Sequence, residues 1–271
     1  MMKIVLFISF ALSSILYCEA QPTTTETLKD SIFKKYVENG AYNYNYLTQE
    51  WQKYLDSAIA ITPDNASLWQ QKAMPYFKRR KYEIGKIYLD KAVELSPKRY
   101  IDYRGFMNCI FAKNYTDAIA DFNKSKELKG EANVMDHSYD FYLGICYLQL
   151  NRLKEAEHSF QLSIDKSTKD HGPDWVHFLD YFYMGVTQYE LEDFQKSVTY
   201  LNKCLAIYKT FADAKYYKAR CLKKWNQKAE GDSLLKEAAI DLQAGHTFNE
   251  DNSFYEFYPY QISSWYLPKV K

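Results

Sequence analysis

Two short stretches gather residues with the chemistry of a nucleophile or a metal ligand. Met135-Asp136-His137-Ser138-Tyr139-Asp140 lies shortly before Cys146. A cysteine nucleophile needs a neighbouring base and a positioned oxyanion donor, and no glycine-rich elbow accompanies either residue. Asp136 or Ser138 is better suited to capping the helix that follows, and Cys146, beside Gly144, to filling space as a small apolar group. The second stretch, His171-Gly172-Pro173-Asp174-Trp175-Val176-His177, puts two His and an Asp in one loop. Zinc needs three or four ligands and a supporting shell, and the sequence offers no clear further ligand. Trp175 is expected to pin this loop onto a neighbouring hairpin. With no phosphate-cradling loop, dinucleotide fingerprint or nucleophile elbow, the expectation is no catalytic residue, no metal, no cofactor and no enzyme.

The elements around these residues belong to a folded chain. Of 271 residues, 47% are hydrophobic and 25% charged, and 26 Tyr with 16 Phe and 5 Trp bring aromatics to 17%. Tyr couples a large apolar body to a polar tip and suits half-exposed surfaces. A net charge of +1 supplies no field to draw nucleic acid or an anionic membrane, so no nucleic-acid partner is expected. Residues 1–20 read as a bacterial-style secretory signal. Lys3 gives a positive start, Ile4 to Tyr17 is almost wholly apolar, and cleavage is expected after Ala20. The run is short for a membrane span, so the expectation is export to the periplasm or outer-membrane surface, or secretion. Peripheral membrane association and lipidation of Cys18 stay open, the latter disfavoured by bulky Tyr17. Cys109, Cys146, Cys204 and Cys221 sit in apolar helical patterns and are expected to be buried thiols, although an exported chain could pair them.

From residue 28 to 245 apolar residues recur at helical spacing with short polar links, and no run alternates with period two. The helices repeat. Gly144 is followed by Ala156 at +12 and Phe160 at +16, Gly185 by Ser197 and Leu201, and Ala219 by Gly231 and Leu235. Upstream, Phe106 precedes Ala118 and Phe122, and Ala73 precedes Gly85 and Leu89. Small residues facing one another let two antiparallel helices approach closely, and no single hairpin buries its own apolar face, so neighbours must stack. The anchors at 73, 106, 144, 185 and 219 are unevenly spaced, which places extra residues near 129–139 and 166–177.

At these residues the chain resembles the tetratricopeptide-repeat family, whose pattern sets Trp, Leu-Gly, Tyr, Ala, Phe and Pro at fixed intervals. Trp69 with Ala73, Tyr76, Gly85, Leu89, Ala92 and Pro97 is the fullest copy, and Asp140 to Phe160 lacks only the Trp. The resemblance implies an all-α solenoid of antiparallel helix pairs wound into a right-handed superhelix. The expected organisation is a signal at 1–20, a segment with a degenerate repeat at 21–65 around Trp51, Leu55, Ala58 and Pro63, an array of about five repeats at 66–245, and an aromatic cap or tail at 246–271. It further implies a concave groove lined by residues three before and one after each anchor: Gln70, Tyr103, Phe141, Phe182 and Tyr216, and Met74, Met107, Ile145, Val186 and Arg220. Such a groove would offer apolar shelves to a helix or extended peptide of a partner protein, although the same stripe could be internal packing. Met74, Met107, Ile145 and Val186 cannot grip a terminal carboxylate, so a co-chaperone-type clamp is not expected despite the basic Arg220, Lys223 and Lys224.

Beyond Gly245, Phe248, Phe254, Tyr255, Phe257, Tyr258, Tyr260, Trp265 and Tyr266 crowd a tail broken by Pro259 and Pro268. Repeat arrays need their last apolar face covered, and capping or docking are its two expected roles. The reading is an exported scaffold that binds a protein partner, within an envelope or outer-membrane assembly. A periplasmic carrier of a small ligand or glycan in an aromatic pocket is the alternative.

Overall fold

The computed structural model describes residues 24–269; the expected signal and Cys18 lie outside the described residues. Twelve α-helices account for most of those residues: α1 (Thr24–Phe33), α2 (Gln49–Ile61), α3 (Ala66–Lys78), α4 (Tyr82–Leu95), α5 (Pro97–Phe106), α6 (Tyr115–Lys129), α7 (Tyr139–Gln149), α8 (Leu153–His171), α9 (Phe178–Glu190), α10 (Phe194–Ile207), α11 (Ala212–Lys224) and α12 (Lys228–Gln243). From α3 onward they pack as five successive antiparallel pairs, each stacked on the next. Upstream, α1 runs on as a π-helical turn and packs on α2, burying Val37, Trp51, Leu55 and Ala58. The fold is the expected all-α solenoid.

Each anchor works through close approach. A methyl added at Gly144 would lie 2.6 Å from the Phe160 ring, and one at Gly185 2.8 Å from Leu201, which are the +16 partners. The frame also reaches the backbone. Arg80, Lys113, Asn151, Glu192 and Asn226 all have positive φ between 56° and 60°, and each stands seven residues past its anchor in the turn inside its pair. A left-handed residue there ends the first helix and reverses the chain. Side-chain caps start several helices: Asn65, Asn114 and Asp193 accept from backbone N–H groups, as does Ser138, one of the two expected caps.

Both insertions are visible. Residues 133–138 form a two-residue β-hairpin, β1 (Asn133–Val134) and β2 (His137–Ser138), which no alternating pattern announced. Helix α8 is lengthened to His171 before the Pro173–Trp175 turn. Trp175 does not pin that loop: it is 71% exposed, and its neighbour Val176 is the side chain buried in the main core. All four cysteines among the described residues are free and buried.

The Phe160 ring is fully buried and stacks on Tyr183 at 5.7 Å, so it cannot yield to a new methyl group. Gly144→Ala is expected to destabilise the protein by about 1–3 kcal/mol as an overpacked core contact. Urea unfolding would show a lower midpoint at unchanged slope.

Candidate functional site

The tail, not a cysteine or a histidine alone, organises the face built by the first helices of the pairs. Gly245, at φ +86°, terminates α12. The chain then runs back along the whole array and returns. Asp213, fully buried in the first turn of α11, holds both limbs. Its Oδ2 accepts from Thr247 Oγ1 at 2.8 Å on the outward limb, and its Oδ1 accepts from the Ile262 N–H at 2.7 Å on the return. A carboxylate in a helix's first turn also meets the positive end of the dipole.

Between these ties the tail inserts rings and offers carbonyls. Phe248 enters among Phe182, Tyr183 and Phe211 at 5.5, 6.1 and 5.4 Å and stacks on Tyr258. At the far end, Tyr255 and Tyr46 share a hydroxyl hydrogen bond, and Glu256 pairs with Arg80 and accepts from the Tyr82 hydroxyl. Four side chains of the array donate to backbone carbonyls: Arg80 to Tyr255 at 3.0 Å, Lys113 to Phe257 at 2.7 Å, Tyr183 to Pro259 at 3.0 Å and Tyr217 to Tyr260 at 3.3 Å. Arg80 and Lys113 are the left-handed turn residues of the first two pairs. Past Ile262 the tail covers the last pair, with Ile262 and Leu267 buried against Ala212, Tyr216, Ala238 and Ala239.

The ten expected groove residues divide accordingly. Met107, Phe141, Ile145, Phe182, Val186 and Tyr216 are buried and face other parts of this chain. Phe141 lies against His137 at 3.9 Å and also touches Phe160 and Tyr183, and Tyr216 meets Tyr266. The stripe is enclosed because the rings are large enough to close the wedge between pairs and the tail covers Phe182. Met74 packs against the cluster around Trp51 and Leu55. Half-buried Gln70 and Tyr103 line a cavity of about 690 Å³ between α1, α3, α5 and the β-hairpin. Arg220 is exposed, donating to the Tyr216 hydroxyl at 2.8 Å. Asp213, Arg80, Lys113, Tyr183 and Tyr217 were not picked out by the sequence. Tyr183 and Tyr217 stand two residues before their anchors, one off the stripe, and Tyr142 holds the matching place in its own repeat.

Cys146 shows no activation. Burial first, and then the neighbouring Cys109, push its thiol well up, which keeps it neutral.

Family models described as tetratricopeptide repeats match residues 131–210 and 66–99. The chain therefore carries tetratricopeptide repeats over these residues. Similar solved structures include PilW, described as a widely conserved type IV pilus biogenesis factor, at 14% identity and TM-score 0.60 over 80% of this chain and 93% of that one. YrrB, described as a TPR protein with an unusual peptide-binding site, matches at 18% identity and TM-score 0.51 over 71% and 93%. A tetratricopeptide repeat protein from Parabacteroides merdae matches at 15% and 0.55 over 86% and 82%. These tetratricopeptide-repeat likenesses establish the fold. No curated protein matches the chain.

Burial raises the Asp213 carboxyl to about 7, against the opposing pull of the Ile262 and Thr247 bonds. Between the ordinary value of 3.8 and about 7 the folded chain therefore holds a proton that the unfolded chain has released. Stability from this group is full below pH 4 and falls as pH rises to about 7. Urea unfolding of the wild type across this range is expected to show that loss, and Asp213→Asn, which keeps one acceptor and gains a donor, is expected to lack it.

Proposed function

We propose that this protein is a non-catalytic scaffold that binds an extended segment of a partner protein along the face now held by its own tail. The carrying observation is the set of four side-chain bonds to the tail's carbonyls. Bonds to main-chain carbonyls hold any extended peptide, whereas the Phe248 niche selects a ring. A partner with an aromatic residue at that spacing competes with the tail, and Phe182, uncovered by the exchange, becomes a contact. Gln70 and Tyr103 extend the same face beyond the tail's path. The buried, neutral thiol of Cys146 supports a structural role at that repeat. Export to the cell envelope belongs to the same proposal, supported by the apolar run of residues 4–17. The pilus-factor description of one structural neighbour accords with it.

Competition gives the test. A labelled peptide of residues 246–262 is expected to bind the full-length Phe248→Ala variant at least about tenfold more tightly than the wild type. Emptying a phenylalanine niche costs the resident tail about 3–5 kcal/mol. Failure of the peptide to bind either protein would show that the face does not accept extended chains.

A further inference from the structure

The two insertions and the tail meet at one point. His137 opens the second strand of the β-hairpin that precedes α7, His177 caps α9 directly after the second insertion, and Glu250 comes from the outward limb of the tail. One candidate ligand atom from each of the three lies within 4.8 Å of the others. His137 Nε2 is 3.2 Å from Glu250 Oε2, and the two imidazole rings are 4.9 Å apart in an edge-to-face arrangement. His137 itself is 3% exposed and its ring is fixed by stacking on Phe141.

A second observation points to a cation. Asp180 follows His177 by three residues and so shares its face of α9. It is 4% exposed, and its Oδ1 is buried without a hydrogen-bond partner. Asp180 lines the same cavity of about 280 Å³ as His137 and His177, together with Ser138 and Ser163. A buried carboxylate oxygen with no donor is costly, and positive charge beside it removes that cost.

We propose that His137, His177 and Glu250 bind a divalent transition-metal ion of the zinc class, with Asp180 as the buried counter-charge beneath it. Two imidazoles and a carboxylate suit zinc and leave a position for water; magnesium and calcium prefer all-oxygen shells. At metal–ligand bonds of about 2.0–2.2 Å, tetrahedral ligands stand about 3.4 Å apart, so the three groups close inward on binding. His177 Nδ1 accepts a long 3.4 Å bond from the Leu179 N–H. Coordination through Nε2 protonates Nδ1 and surrenders that weak cap. The ion would then fasten the tail to the heads of α7 and α9. A metal titration of the protein alone, with its tail in place, reads the site whether or not any peptide can displace that tail.

The experiment is calorimetric titration of metal-free, full-length protein with zinc chloride, with cobalt(II) spectra reporting coordination. One zinc per chain is expected, with tetrahedral cobalt bands and a raised Tm, and no heat from magnesium. Glu250→Gln and His177→Ala, both on the rim, should weaken zinc by more than the ~10–100-fold that outer-shell substitutions cost. His158→Ala, on the exposed side of α8, should bind as wild type. Circular dichroism confirms that each variant is folded. No zinc uptake by the wild type, or equal affinity in Glu250→Gln and His177→Ala, would overturn the proposal.

Discussion

A single buried carboxylate decides how this chain closes on itself. Asp213 takes one hydrogen bond from each limb of the tail, and those two bonds set where the tail leaves the array and where it comes back. Everything between them is a loop of fixed ends laid across the first helices. Its course is then dictated by where rings fit and where carbonyls find donors. The constraint behind this is general to repeat arrays. A stack of hairpins presents apolar inner and terminal faces that no hairpin covers alone, and this chain covers both with one segment. Residues 246–262 fill the inner side, and residues 262–267 seal the last pair.

That arrangement gives the aromatic excess a physical role. Phe182, Tyr183, Phe211, Phe248 and Tyr258 form one edge-to-face and stacked cluster, in which each pair adds about 0.5–1.5 kcal/mol beyond its buried area. Tyrosine serves better than phenylalanine at the boundary, since Tyr183 and Tyr217 turn a ring to the cluster and a hydroxyl to the tail's backbone. The turn residues Arg80 and Lys113 serve twice as well, reversing the chain within their pairs and holding tail carbonyls.

The repeat frame was legible because its chemistry is local. Gly144 with Phe160, and Gly185 with Leu201, are contacts within one hairpin, so the spacing that encodes them is short and recurs. The two insertions were legible for the same reason, as excess length between anchors. The tail's path was not. Tyr46 and Tyr255 are 209 residues apart, and no spacing rule connects them. The composition of the tail announced a need for cover without an address. The sequence left the groove stripe between partner contact and internal packing, because rings large enough to attract a partner are also large enough to fill the wedge themselves, as buried Phe141 and Phe182 do. His177 was weighed with its neighbours His171 and Asp174, while the structure sets it beside His137 and Glu250.

The tail is an integral occupant of the first-helix face in solution. Hydrogen exchange of the full-length protein reads this most directly, above all at the Ile262 amide bonded to Asp213. Protection of residues 258–262 that matches the core helices, and that is lost in Phe248→Ala, is the predicted result. Exchange of this segment at the rate of an open chain in the wild type would contradict it.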